Sequence, residues 1–136
     1  MNKKFYGQII VCEDINYDDN VLSTSLHNIL NETSVNVLPS MIKLKVFMKF
    51  LFKEVDFLDH LYISVINEEN DIFYEDSFEM RNFRKEGMNP GMDIGLNIMF
   101  PVVKQGNHRI VLTNAEDEIV TEYPLFISVK ESLESV

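Results

Sequence analysis

Asp14, Asn16 and Asp18 alternate along the chain with Asp19 directly behind them, a spacing of oxygen ligands that can wrap a calcium ion. The rest of the template is missing. A calcium loop starting at Asp14 needs glycine at its sixth position and glutamate at its twelfth, where this chain has Asp19 and Ser25. A turn solvated by its own carboxylates accounts for the pattern without an ion. His27, His60 and His108 lie far apart, and none forms a helical two-histidine pair or sits beside the single cysteine. That cysteine, Cys12, precedes Glu13 and Asp14, whose charge opposes a thiolate, and Ile10, Val11 and Ile15 favour a small buried side chain there. No serine occupies a Gly-x-Ser-x-Gly elbow. Glu68-Glu69 and Glu75-Asp76 are neighbours along the chain, whereas a glycosidase needs two carboxylates facing each other across a bond. The expectation is a chain without metal, cofactor or catalytic residues.

Binding chemistry is better represented. Gly87-Met88-Asn89-Pro90-Gly91 matches neither phosphate-cradling glycine spacing, and no helix follows it. With two glycines and a proline close together it is expected to be the longest mobile loop. Met88 and Met92 there offer adaptable thioethers to a partner, or fold back onto the core. Phe47 and Leu51 interrupt a row of lysines at a spacing of four. Both either pack beneath a neighbouring loop or form an apolar patch rimmed by lysine that binds another protein or a second copy of this chain. Phe47, Leu51, Met88 and Met92 are thus the candidate partner contacts.

The element that positions them is legible. Ile42, Leu44, Val46, Met48, Phe50 and Phe52 take every second position, with Lys43, Lys45, Lys49 and Lys53 between them. At 180° per residue the apolar groups share one face of a strand, whereas at 100° they would scatter around a helix. Burying six such side chains contributes roughly 1.5–3 kcal/mol each before ordering entropy is subtracted. Further strands are expected over residues 5–12, 21–30, 61–66, 72–74, 78–83, 94–100, 108–113 and 118–129, with loops at 31–39 and 101–106. Pro124 inside the last one argues for an edge or a bulge. About seven to nine strands at spacings of about ten residues, without helical periodicity, describe an all-β, antiparallel β-sandwich of immunoglobulin-like character. A single domain over residues 1–130 with a polar tail at 131–136 is expected.

The 136 residues carry 12 basic and 22 acidic side chains, a formal net charge of −10, which repels nucleic acid and anionic lipid. Acids crowd residues 68–79 as lysines crowd residues 43–53. If those segments were neighbours in one sheet, each would neutralise the other across the ladder. A lone cysteine, no signal-peptide core and no apolar run long enough to cross a bilayer point to a cytoplasmic protein. Frequent asparagine, lysine and isoleucine suggest an AT-rich bacterial or phage genome.

Two stretches carry a resemblance. Residues 11–20, followed by Leu26-His27-Asn28-Ile29 and Leu38-Pro39, resemble the opening of a family of small, uncharacterised bacterial β-sandwich proteins. There a strand end with cysteine and aspartate, an acidic turn and a proline precede a long alternating strand. Phe100-Pro101, then Gly106-Asn107-His108-Arg109-Ile110, is similar to the end of immunoglobulin-like sandwiches, where Gly-x-Tyr opens the penultimate strand and the tyrosine hydroxyl anchors a corner. His108 stands in the tyrosine's place, so any corner bond must come from an imidazole nitrogen. The resemblance implies a fold and no activity.

The expected function is a non-enzymatic protein-interaction or adaptor module, its partner another protein or a second copy. Two alternatives are an acidic decoy that occupies a nucleic-acid-binding protein, and an enzyme whose loops gather histidines with carboxylates.

Overall fold

The computed structural model describes residues 3–18 and 23–130. In chain order the strands are β1 (Phe5–Asp18), β2 (Ser23–Ile29), β3 (Glu32–Val35), β4 (Ser40–Phe52), β5 (Leu58–Asn67), β6 (Ile72–Arg81), β7 (Gly91–Val102), β8 (Gly106–Thr113) and β9 (Ile119–Val129). They form two sheets, ordered β2-β1-β4-β7 and β3-β9-β8-β5-β6. The fold is an all-β, immunoglobulin-like sandwich, antiparallel except where β3 runs parallel to β9. Among the described residues no helix is long and apolar enough to cross a membrane.

Alternation in β4 organises the core. Its even-numbered side chains from Ile42 to Phe52 are all buried, and they meet Leu61, Ile63 and Val65 of β5 and Ile110 and Leu112 of β8 in one cluster. Phe50 spans the layers, with its ring centroid 6.0 Å from Phe78 on β6 and 6.3 Å from Phe5 on β1. Phe57, in the connection after β4, closes that end of the core against Phe5 and Phe52 at 5.5 and 5.0 Å.

Two turns use the same device. Asn67 Oδ1 accepts hydrogen bonds from the backbone N–H groups of Glu69 and Asp71, and Asn114 Oδ1 does the same for Glu116 and Glu118. In each, the fourth residue, Asn70 or Asp117, takes a positive φ of 64° or 63°, a conformation asparagine and aspartate tolerate better than most residues. His108 is buried, and its Nδ1 lies 3.0 Å from the Gly106 carbonyl oxygen. The corner bond expected of an imidazole is therefore made to the local backbone. Pro124 lies in β9, which has β8 on one side and gains β3 on the other only from Phe126 onward. Its missing N–H thus falls where β9 is an edge.

Several expectations are corrected. The stretch 31–39 is not all loop: β3 pairs with the free side of β9 and turns Val35 into the core, a tertiary contact that outweighs the polar composition of Glu32, Thr33 and Ser34. The segments 72–74 and 78–83 are one strand, because Glu75 and Asp76 lie exposed on the sheet edge and need not break it. β1 continues to Asp18, beyond the expected end of the first strand, and β7 continues through Pro101 to Val102 at a sheet edge where proline is tolerated. The acidic segment does not flank the lysine strand: β6 edges one sheet while β4 lies inside the other. The lysines are met instead by acids on their own neighbours, Lys45 by Asp14 of β1 at 2.9 Å and Lys49 by Asp93 of β7 at 3.2 Å. The tail at 131–136, and Asp19 of the acidic turn, lie outside the described residues.

Candidate functional site

The outward-facing row of β4 and its two neighbours build one surface. On the β1 side Tyr6 pairs with Leu51, Gln8 with Lys49 and Ile10 with Phe47; on the β7 side Gly91, Asp93 and Gly95 pair with the same three β4 residues. Pairing of β1 with β4 ends at Cys12, and β1 then runs on with β2 as its partner and bends across the outer face. Gly95 records that bend, since a Cβ there would lie 2.1 Å from Tyr17 Oη and 3.1 Å from Ile15 Cδ1. Phe47, opposite Gly95, is accordingly half-buried.

Among the described residues none covers Leu51 in this way. With Tyr6, Met88, Lys49, Arg84 and Asp93 it lines an open groove of about 790 Å³ walled by residues 87–90. Leu51 is 47% exposed and Met88 54%, whereas Met92 is 3% exposed. Met92 therefore leaves the set of candidate contacts: it pairs with Phe50 in the inward row and packs in the core. Tyr6 joins the set, exposed beside Leu51, with Lys3 Nζ 5.7 Å from its ring centroid.

The neck of the wall is fastened by hydrogen bonds. Asn82 Oδ1 accepts from Arg84 N at 2.9 Å and Gly91 N at 3.0 Å, and Phe83 N donates to the Gly91 carbonyl at 2.9 Å. Arg84 forks onto Asp93, Nη2 to Oδ1 at 2.7 Å and Nη1 to Oδ2 at 3.3 Å, and Lys49 Nζ shares Oδ1. Burial alone would raise the Asp93 carboxyl, but the Arg84 and Lys49 hydrogen bonds and charges outweigh it and hold the pKa below the usual aspartate value. A depressed carboxylate stabilises the fold above its unfolded pKa, and that contribution disappears as pH falls through the lower folded value. Urea midpoints measured below pH 5 should fall through this range in the native chain. The Asp93→Asn variant should show a shallower decline; parallel acid profiles would place the pair outside the folding equilibrium.

The histidines and Asp14 are placed apart from one another or engaged locally. His27 lies on β2, its Nε2 accepting from Asn16 Nδ2 at 2.7 Å. His60 sits exposed at the opposite end of β5 from Asn67, the residue that His108 faces. Asp14 is engaged by Lys45 and by its neighbour's N–H, which hold its carboxyl below the usual range. Among the described residues no group of three His, Cys, Asp or Glu side chains is placed to hold a metal ion. Cys12 is fully buried, and that burial pushes its thiol up, away from the reactive thiolate.

No family model matches the chain, and no curated protein matches it. Among solved structures it is similar to the CARDB domain of a Pyrococcus furiosus protein in complex with di-metal ions, at 11% identity and a TM-score of 0.47, covering 96% of this chain and 100% of that one. A Northeast Structural Genomics Consortium target is similar at 6% identity and a TM-score of 0.44, covering 96% of this chain and 89% of that one. A β-glucosidase from Listeria innocua in complex with isofagomine is similar at 6% identity and a TM-score of 0.43, over 90% of this chain and 16% of the enzyme. The resemblance of residues 11–20 to a small bacterial family thus has no family model behind it.

Proposed function

We propose that this chain is a non-enzymatic protein-interaction module whose contact face is the outer surface of the β4 sheet around Tyr6, Leu51 and Met88. The observation that carries this reading is convergence: Leu51 and Met88, far apart in sequence, line one groove with a third exposed apolar side chain, Tyr6. Lys49 and Arg84 border it with Asp93 bonded to both, and Lys3 stands over Tyr6, so the rim of an apolar floor keeps a basic excess on a chain whose net charge is −10. Tyrosine, methionine and arginine are among the side chains enriched at protein interfaces. One domain over residues 1–130, a cytoplasmic setting that keeps Cys12 reduced, and a protein partner rather than nucleic acid or membrane complete the proposal.

The test uses the full chain and its Leu51→Glu/Met88→Glu variant as baits in extract of the native host. The variant should lose at least about 30-fold in affinity for whatever the wild type retains, the effect of removing a contact worth about 2 kcal/mol. Equal retention of the same proteins by both baits would remove this face from the function.

A further inference from the structure

A second groove opens on the opposite outer face of the sandwich. Tyr62 and Ile72, both exposed, line it with Glu75, Asp76 and Asp117, and its volume is about 600 Å³. Every charged side chain in this lining is an acid. In the groove of the β4 sheet the described lining carries two cations, Lys49 and Arg84, and one acid, Asp93, bonded to both, which leaves an excess of one positive charge. The two grooves therefore share an apolar floor and oppose in net charge: tyrosine with apolar side chains in both, carboxylates around one and an excess of one cation around the other. Each is also bordered by a turn, residues 87–90 on one face and 114–117 on the other.

We infer that the two grooves are the halves of one interface, through which copies of this chain stack head to tail. The inference rests on the reading of the β4 face as a contact surface and names a second copy as its occupant. In the stack, Met88 of one copy enters the Tyr62–Ile72 floor of the next, and the acidic turn at 114–117 lies against Lys49 and Arg84. Charge complementarity selects this occupant. At physiological ionic strength the Debye length is about 8 Å, so the repulsion between two chains of net charge −10 is largely screened beyond the interface while facing rim groups still attract. Because the halves lie on opposite faces, the contact is heterologous and does not close on itself, so assembly proceeds beyond a dimer.

Sedimentation equilibrium at physiological salt, up to about 1 mM protein, tests it. Wild type should show an average mass that rises with concentration past that of a dimer. Two variants each disable one face: Lys49→Glu/Met88→Glu and Glu75→Lys/Asp76→Lys, all at exposed positions. Each alone should stay monomeric with an unchanged circular dichroism spectrum, and an equal mixture should associate, since one native contact remains between the two variants. The milder Glu75→Gln/Asp76→Asn variant should weaken self-association by at least about tenfold, which guards against misfolding of the lysine variant. A monomeric wild type overturns the inference, as does a mixture that fails to pair. If host-protein capture by the β4 face survives such a result, the interaction module stands and only its self-stacking falls.

Discussion

Replacing Phe50 with alanine should lower the free energy of unfolding by about 3–5 kcal/mol, a large share of the roughly 5–15 kcal/mol that holds a domain together. The ring is 2% exposed and touches both layers through Phe5 and Phe78. It also fills the space over Gly7, where an added Cβ would come within 2.7 Å of Phe50 Cε1, so Gly7 itself has no side chain to slide into the vacated volume. Truncation therefore leaves a cavity in addition to losing the transfer energy of the ring. Urea denaturation at 25 °C measures it. A loss below about 1 kcal/mol would mean that the two sheets do not meet through this residue.

Gly91→Ala should cost about 1–3 kcal/mol or more, for the opposite reason of too much volume. A Cβ at Gly91 would sit 2.2 Å from the carbonyl oxygen of Phe50, a backbone atom in the centre of the sheet that has nowhere to move. Relief must come from separating β7 from β4 at the Leu51–Gly91 pair, which is also where Phe83 and Asn82 fasten the wall of the groove. The same substitution at Gly95 is the control. There the nearest atom is Tyr17 Oη, the tip of a side chain that can swing away, so Gly95→Ala should cost clearly less in the same denaturation series. Equal costs would contradict the close approach of β7 to the Phe50 backbone.

Local periodicity explains what could be read before any coordinates. β4 and the inward rows of β5, β7 and β8 follow from alternation because one face of each is buried against the other sheet, so the pattern in the residues is the pattern in space. β3 carries no such pattern over its four residues; it exists because β9 offers an unpaired side, a fact about a strand about ninety residues further on. The neighbours of β4 were likewise invisible. The match of charge between residues 43–53 and 68–79 suggested a ladder, yet exposed pairs contribute only a few tenths of a kcal/mol each and do not choose partners against core packing. Met92 was decidable: continuing the even-numbered row of Ile94, Leu96, Ile98 and Phe100 back by two residues turns it inward, although the loop composition around it argued otherwise. Tyr6 was not, because only its register opposite Leu51 brings it to the groove.

The central claim, that Leu51 and Met88 form a free contact surface rather than part of the packing, is tested most directly by the thermal melt of the Leu51→Glu/Met88→Glu variant. Two charges placed on an exposed face should leave the midpoint within about 2 °C of wild type, as for surface substitutions generally. A drop of about 10 °C or more would show that those side chains hold the fold together, and the groove could then no longer be read as a recognition site.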